Sequence, residues 1–372
     1  MIRNCILCDV EITDKNDTKE HIIPNAIGGR RKVSGFICNG CNNETGSKWE
    51  VELAKQLNPL SLLLGIKRER GQAPSQTFEM PSGQKIKLAH DGQMQNAAPT
   101  YEETHIDGKV CIHMTARNEQ EAKKRIKGVQ KKYPEANINF EVNHRTQYPD
   151  EPINVNLSFG GLEAGRSLVK SALAVIHECN VDARCCEHAI NYLKFDNTEP
   201  CFGYYYSSDP IIDRPAGTPL HCVYVKGNAL DNSIVGYVEL FGYQRMALCL
   251  SSNYQGEPFE ACYAINPMDG TELNVNIDFQ FDIQQVDDCY NYKLIPEGAI
   301  QKALGHILDT AIKHDYERER DRVINDAVQF GFENCGATKG EELTKEQYEK
   351  MCKLALEKCA HLWKVGLCAK IV

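Results

Sequence analysis

Cys5-Ile6-Leu7-Cys8, Glu20-His21-Ile22-Ile23-Pro24, Gly28-Gly29-Arg30-Arg31-Lys32 and Cys38-Asn39-Gly40-Cys41-Asn42-Asn43 follow one another near the start of this chain, and their order decides how it is read. Two Cys-x-x-Cys pairs bracket a carboxylate and a histidine. A Cys-x-x-Cys turn lays two thiolates along one edge of a tetrahedron. Two such turns supply both edges, which is the donor set of a structural zinc ion. Four buried free cysteines are the poorer reading, because a segment this polar has too little apolar material to fold without a staple.

The residues between the cysteine pairs add reactive chemistry. Glu20 offers a hard oxygen donor of the kind Mg²⁺ or Mn²⁺ prefers. His21 titrates near neutrality and can act as a general base toward water. Asn42, directly after Cys41, offers a second, neutral oxygen. A metal that neutralises a phosphate and a base that makes the nucleophile together meet the needs of phosphodiester hydrolysis. Arg30, Arg31 and Lys32 form a cationic loop next to these groups and are read as phosphate contacts; a merely solvated charge run is the bland alternative.

In this order the elements resemble the HNH endonucleases, the ββα-metal superfamily, in the subgroup stapled by four zinc cysteines. The resemblance covers residues 5 to about 50. It implies that Cys5, Cys8, Cys38 and Cys41 hold structural Zn²⁺, that Glu20 and Asn42 hold a catalytic Mg²⁺ or Mn²⁺, and that His21 is the general base. It also implies that Glu50 stands where related sequences carry an acidic helical residue. One position departs from the pattern. The family's middle asparagine, which presents a backbone carbonyl to orient the histidine, falls at Val33-Ser34 here. The function implied is a metal-dependent DNA endonuclease using one metal and a histidine base, as a nickase or host-defence nuclease. The alternative is a non-catalytic zinc ribbon that binds nucleic acid or protein.

The remainder reads as α+β. Residues 76–80 and 85–88 form a hairpin around Pro81-Ser82-Gly83-Gln84, and 109–114 another strand. Thr115 or Asn118 caps a helix running to about Lys132, rich in Lys123, Lys124, Arg125, Lys127, Lys131 and Lys132. Further on, 153–159 is a strand, and 162–179 and 183–193 are helices. Strands at 221–225, 234–241, 245–251, 259–265 and 271–279 make an antiparallel meander. Helices over 296–330 and 344–365 close the chain, with a break at 331–340. The division expected is 1–57 for the zinc-stapled nuclease module, 58–150 for a connecting α+β region, 151–295 for a helical pair plus sheet serving substrate selection, dimerisation or regulation, and 296–372 for C-terminal helices. Arg166, Lys170, His177, Cys185, Cys186 and His188 lie on helices among apolar neighbours and are read as scaffold, not as a second metal site.

Of 372 residues, 42% are hydrophobic and 25% charged, an ordinary balance for a globular protein. The net charge of −9 argues against a uniformly basic nucleic-acid binder, though not against a local basic groove. The cysteine count of 17 is odd, and neither a signal peptide nor an 18-residue apolar run is seen, so reduced thiols and a cytoplasmic location are expected, with no membrane partner. The partners expected are DNA, a second copy of the chain for cutting both strands, and a regulatory partner or ligand at the C-terminal region.

Overall fold

The fold begins where the cysteine spacing requires it. A computed structural model describes residues 3–106, 109–117, 119–137 and 151–366. The first two strands are minimal: Glu20–His21 pairs antiparallel with Lys32–Val33, with Glu20 opposite Val33 and His21 opposite Lys32. Cys38, in an extended conformation, precedes the helix Asn39–Thr45. The helix widens into a π-helical turn at Gly46–Glu50 and continues as Val51–Leu63. The helical run from Asn39 to Leu63 is thus interrupted by a wide turn, a feature frequent at functional sites.

By internal contacts the chain forms two compact units, Met1–Pro74 with Asn156–His314, and Ser75–Val155 with Asp315–Val372. Residues 1–57, expected as a module of their own, thus share a unit with the helical pair and the large sheet. In this first unit the helix Leu162–Glu178 is central. Every residue from Ala164 to Ile176 is buried. One side of the helix packs on the sheet, and another packs on the strand Lys32–Val33, the π-helical turn and the helix Val51–Leu63. The enclosure takes in Arg166, Ser167, Lys170 and Ser171 along with the apolar residues.

The six-stranded antiparallel sheet has the order Thr271–Leu273, Phe259–Asn266, His221–Asn228, Ser233–Leu240, Gln244–Ser251, Phe202–Tyr204. This corrects the meander: the strand Phe259–Asn266 crosses to pair with His221–Asn228 rather than continuing beside Gln244–Ser251. The edge strand Phe202–Tyr204 had no sequence signal, because three residues are too few to show a period of two. The strands Ser233–Leu240 and Gln244–Ser251 are buried throughout. Alternate residues serve opposite faces: Ile234, Val238 and Leu240 join the core under the central helix, whereas Val235 and Tyr237 join a second cluster with Tyr205, Phe279 and Phe281.

Two expected strands are corrected. The ladder starting at Thr271 stops at Leu273, while Val275, Ile277 and Phe279 keep their alternation because they cover the far face of the sheet. Residues 153–159 form no ladder. Asn154 makes one bridge to Glu79, and Leu157 and Phe159 pack against the core as extended chain.

The second unit holds the expected hairpin, Gln76–Glu79 with Lys85–Leu88, extended by a third strand Met94–Asn96. It also holds a two-stranded ribbon, Tyr101–Ile106 with Lys109–Met114, and the basic helix Glu119–Lys132. Asn118, one of the two expected caps, lies outside the described residues. The helix Ala299–Asn334 runs from the first unit into the second, so the expected break begins only after Asn334. The last helix, Lys345–Gly366, starts with a reciprocal cap in which Gln347 N–H donates to Thr344 Oγ1 at 3.3 Å and Thr344 N–H donates to Gln347 Oε1 at 3.0 Å.

Candidate active site

The site is assembled from the cysteines upward. The Sγ atoms of Cys5, Cys8, Cys38 and Cys41 all lie within 4.8 Å of one another. The first turn is closed by Cys5 N–H donating to Val10 O and Asp9 N–H donating to Cys5 O, both at 2.9 Å. Burial raises the pKa of the Cys8 and Cys41 thiols, so these two favour the protonated form when no cation is beside them. Zinc removes that penalty by binding the thiolates, and the four-sulfur set fits such an ion.

Two glycines hold the next loop down. Gly28 adopts φ +101°, and a Cβ there would sit 2.7 Å from Pro267 Cβ. A Cβ on Gly29 would lie 1.7 Å from Ile23 O. Ile22, Ile23 and Ile27 are fully buried. The Ile27 carbonyl accepts from His221 Nε2 at 2.8 Å. The Glu-His-Ile-Ile-Pro stretch and its glycines are thereby pressed onto the large sheet.

Adjacent residues on a strand point to opposite faces, and here that separates Glu20 from His21. Glu20, 3% exposed, turns inward. There its Oε1 meets the ammonium of Lys170, from the central helix, and the same ammonium contacts Glu50 Oε1. Lys170 Nζ also donates to Thr45 Oγ1 at 3.3 Å, and its side chain is 1% exposed. Burial pushes the Glu20 carboxyl up to about 7. Burial opposes charge on Glu50 as well, but Lys170 outweighs it and lowers that pKa. One acid of the pair rises and the other falls, as two carboxyls sharing one counter-charge must. Burial likewise disfavours the Lys170 ammonium, yet Glu50 and Glu20 raise its pKa.

His21 turns outward with 20% of its side chain exposed, and its Nε2 lies 3.1 Å from Glu69 Oε2. Lys32 Nζ holds the same oxygen at 2.7 Å. Glu69 is itself placed by its N–H, which donates to Asn25 Oδ1 at 3.1 Å. Burial lowers the His21 pKa, with the Glu69 hydrogen bond acting against it. The Ser34 carbonyl lies 3.0 Å from His177 Nε2, and the group hydrogen-bonded to His21 is Glu69.

The remaining expected residues are placed differently from their sequence reading. The Asn42 amide donates to Thr18 Oγ1 at 2.8 Å. Of the expected donor pair, Glu20 meets the Lys170 ammonium, and Asn42 spends its amide nitrogen, not its oxygen, on the Thr18 hydroxyl. The basic loop is largely neutralised. Arg31 stacks over the Tyr263 ring at 4.5 Å and pairs with Glu178 at 3.2 Å and with Glu272. Arg30 donates to Lys67 O at 2.8 Å, and Lys32 is held by Glu69. Nearby in sequence, Arg68 is a half-buried guanidinium whose Nε has no hydrogen-bond partner among the described residues, and burial lowers its pKa.

Lys170, Glu69 and Arg68 are the site residues that sequence reasoning missed. Lys170 had a legible signal, since a lysine among the apolar residues of a core helix must meet a buried counter-charge. Glu69 and Arg68, in Lys67-Arg68-Glu69-Arg70, had none.

Residues 5–58 match a family model described as HNH endonuclease. No curated protein and no solved structure matches the chain. Among the described residues, no helix is long and apolar enough to cross a membrane.

Proposed function

We propose that the chain is a metal-dependent HNH endonuclease that hydrolyses phosphodiester bonds in DNA, with His21 as general base. The observation that carries this reading is the His21–Glu69 pair, set on the first strand of a four-cysteine ββα module. A Glu69 carboxylate at Nε2 favours the tautomer with hydrogen on Nε2, which leaves Nδ1 to accept a proton from water. The lowered His21 pKa keeps the imidazole neutral, and so basic, at physiological pH. The water oxygen bonds to phosphorus as the P–O3′ bond breaks, giving a 5′-phosphate and a 3′-hydroxyl. Arg68 joins Arg30 as the phosphate contact in place of Arg31 and Lys32, because among the described residues neither the Arg68 nor the Arg30 guanidinium is paired with a carboxylate, whereas Arg31 and Lys32 are. Dependence on Mg²⁺ or Mn²⁺ enters this reading through the family match. One such site cuts one strand per visit, so the expected product on supercoiled plasmid is the nicked circle.

The test is incubation of the zinc-loaded protein with supercoiled and single-stranded DNA in Mg²⁺ or Mn²⁺, beside His21→Ala. Wild type should nick, and the variant should keep its zinc content and circular dichroism while losing cleavage. Undiminished nicking by His21→Ala sinks the assignment of the base. DNA binding without cleavage by wild type favours the zinc-ribbon alternative.

A further inference from the structure

Lys170 lies outside the segment that matches the HNH model, yet it fills the point on which two acidic side chains of that segment, Glu20 and Glu50, converge. Its Nζ contacts Glu20 Oε1, Glu50 Oε1 and Thr45 Oγ1, two carboxylate oxygens and a hydroxyl. These are hard oxygen donors of the type that hold a divalent cation, and the cation they hold is an ammonium. We propose that Lys170 is a resident counter-cation that excludes a divalent ion from the Glu20–Glu50 pair until it withdraws. This rests on the metal-dependent reading given above.

Charge counting supports exclusion over coexistence. With both carboxyls ionised, Glu20 and Glu50 with Lys170 carry one net negative charge. The same carboxylates with a divalent ion alone would be neutral. With both cations the group would be positive, and the buried ammonium would lie against the ion at close range, which a low-dielectric interior penalises strongly. Lys170 is also not free to swing into solvent, being held on a helix that is buried along its length. Withdrawal therefore requires the central helix and the π-helical turn bearing Glu50 to separate, which couples metal entry to the packing of the module on its scaffold. A lysine serving only to anchor the module would predict no such competition.

The test uses the full chain, zinc-loaded, in buffer free of other divalent ions, with Mn²⁺ as the probe followed by calorimetric titration and by the paramagnetic signal of free Mn²⁺. Lys170→Met should bind Mn²⁺ more tightly than wild type, by a factor on the order of ten or more. Its melting temperature should fall without Mn²⁺ and recover with it, while the wild-type melt responds to Mn²⁺ less. Adding Glu50→Gln to Lys170→Met should abolish the gain in affinity. Mn²⁺ affinity in Lys170→Met equal to that of wild type overturns the proposal. So does a destabilised or unfolded Lys170→Met that millimolar Mn²⁺ fails to restore, and so does a gain that survives Glu50→Gln, because the ion then sits elsewhere. Failure of the nuclease reading would appear separately, as absence of DNA cleavage by wild type and variant alike, and would leave these affinities unchanged.

Discussion

His221 should make this protein sensitive to mild acid, and the sign follows from its two hydrogen bonds. Its Nδ1 accepts from Phe241 N–H at 2.9 Å, and its Nε2 donates to the Ile27 carbonyl at 2.8 Å. Only the neutral Nε2–H tautomer satisfies both partners, because a proton on Nδ1 would face the Phe241 N–H. The ring is fully buried, and burial lowers its pKa from 6.5 to about 4. Between those values the unfolded chain binds the proton and the folded chain does not. The contribution of His221 is therefore complete above the unfolded pKa and is lost as pH falls toward the folded one. From about pH 7 to about pH 5 the loss is about 2 kcal/mol. Replacing the histidine by asparagine keeps an acceptor for Phe241 N–H but leaves the Ile27 carbonyl unpaired, at a cost of about 1–3 kcal/mol near neutrality. In return the variant has no proton to gain. Denaturant titrations at a series of pH values, followed by tryptophan fluorescence, should show His221→Asn less stable than wild type near pH 7 and the two curves converging by about pH 5. Glu20, whose pKa is raised by burial, gives a slope of opposite sign, gaining stability as pH falls, but it is common to both proteins and cancels in the difference. Parallel pH profiles for wild type and variant would refute the reasoning.

Three other substitutions bear on the site. Glu69→Gln keeps the shape beside His21 but removes the carboxylate that orients it, so kcat should drop about 10- to 100-fold with little change in KM, read by initial rates of plasmid nicking; an unchanged kcat would mean that Glu69 is only a surface ion-pair partner. Arg68→Ala should weaken DNA binding across sequences and reduce the slope of log affinity against log salt by about one, measured by fluorescence anisotropy, whereas Arg31→Ala should show no such change in slope because its guanidinium is held by Glu178, Glu272 and the Tyr263 ring. Gly29→Ala forces a methyl into the Ile23 carbonyl and should cost about 2 kcal/mol or more in thermal or chemical denaturation; a variant as stable as wild type would show that the loop yields without strain.

The four cysteines and the Glu20-His21 step were legible because their information is local. Ligand spacing along a turn and the adjacency of two reactive side chains are set within a few positions, whereas the need for Gly28 to lack a Cβ comes from Pro267 in the folded chain. Local signals also mark the hairpin over 76–88 and the start of the last helix near Thr344. The short edge strand Phe202–Tyr204 and the end of pairing after Leu273 were not legible, because an apolar alternation records burial on one face and is silent about which neighbour supplies the hydrogen bonds.

Sequence alone therefore determined that two Cys-x-x-Cys pairs with metal-ligand spacing bracket an acidic residue and a histidine side by side. What surrounds those two side chains was decided by the tertiary structure. Glu20 and His21 are consecutive, yet strand geometry sends one inward to Lys170 and the other outward to Glu69. Lys170 lies 120 residues from Glu50, Glu69 lies 48 from His21, and His221 lies 194 from Ile27. Each of these partners is chosen by charge and hydrogen-bond satisfaction in a buried space. That space exists only once the central helix is enclosed between the module and the sheet.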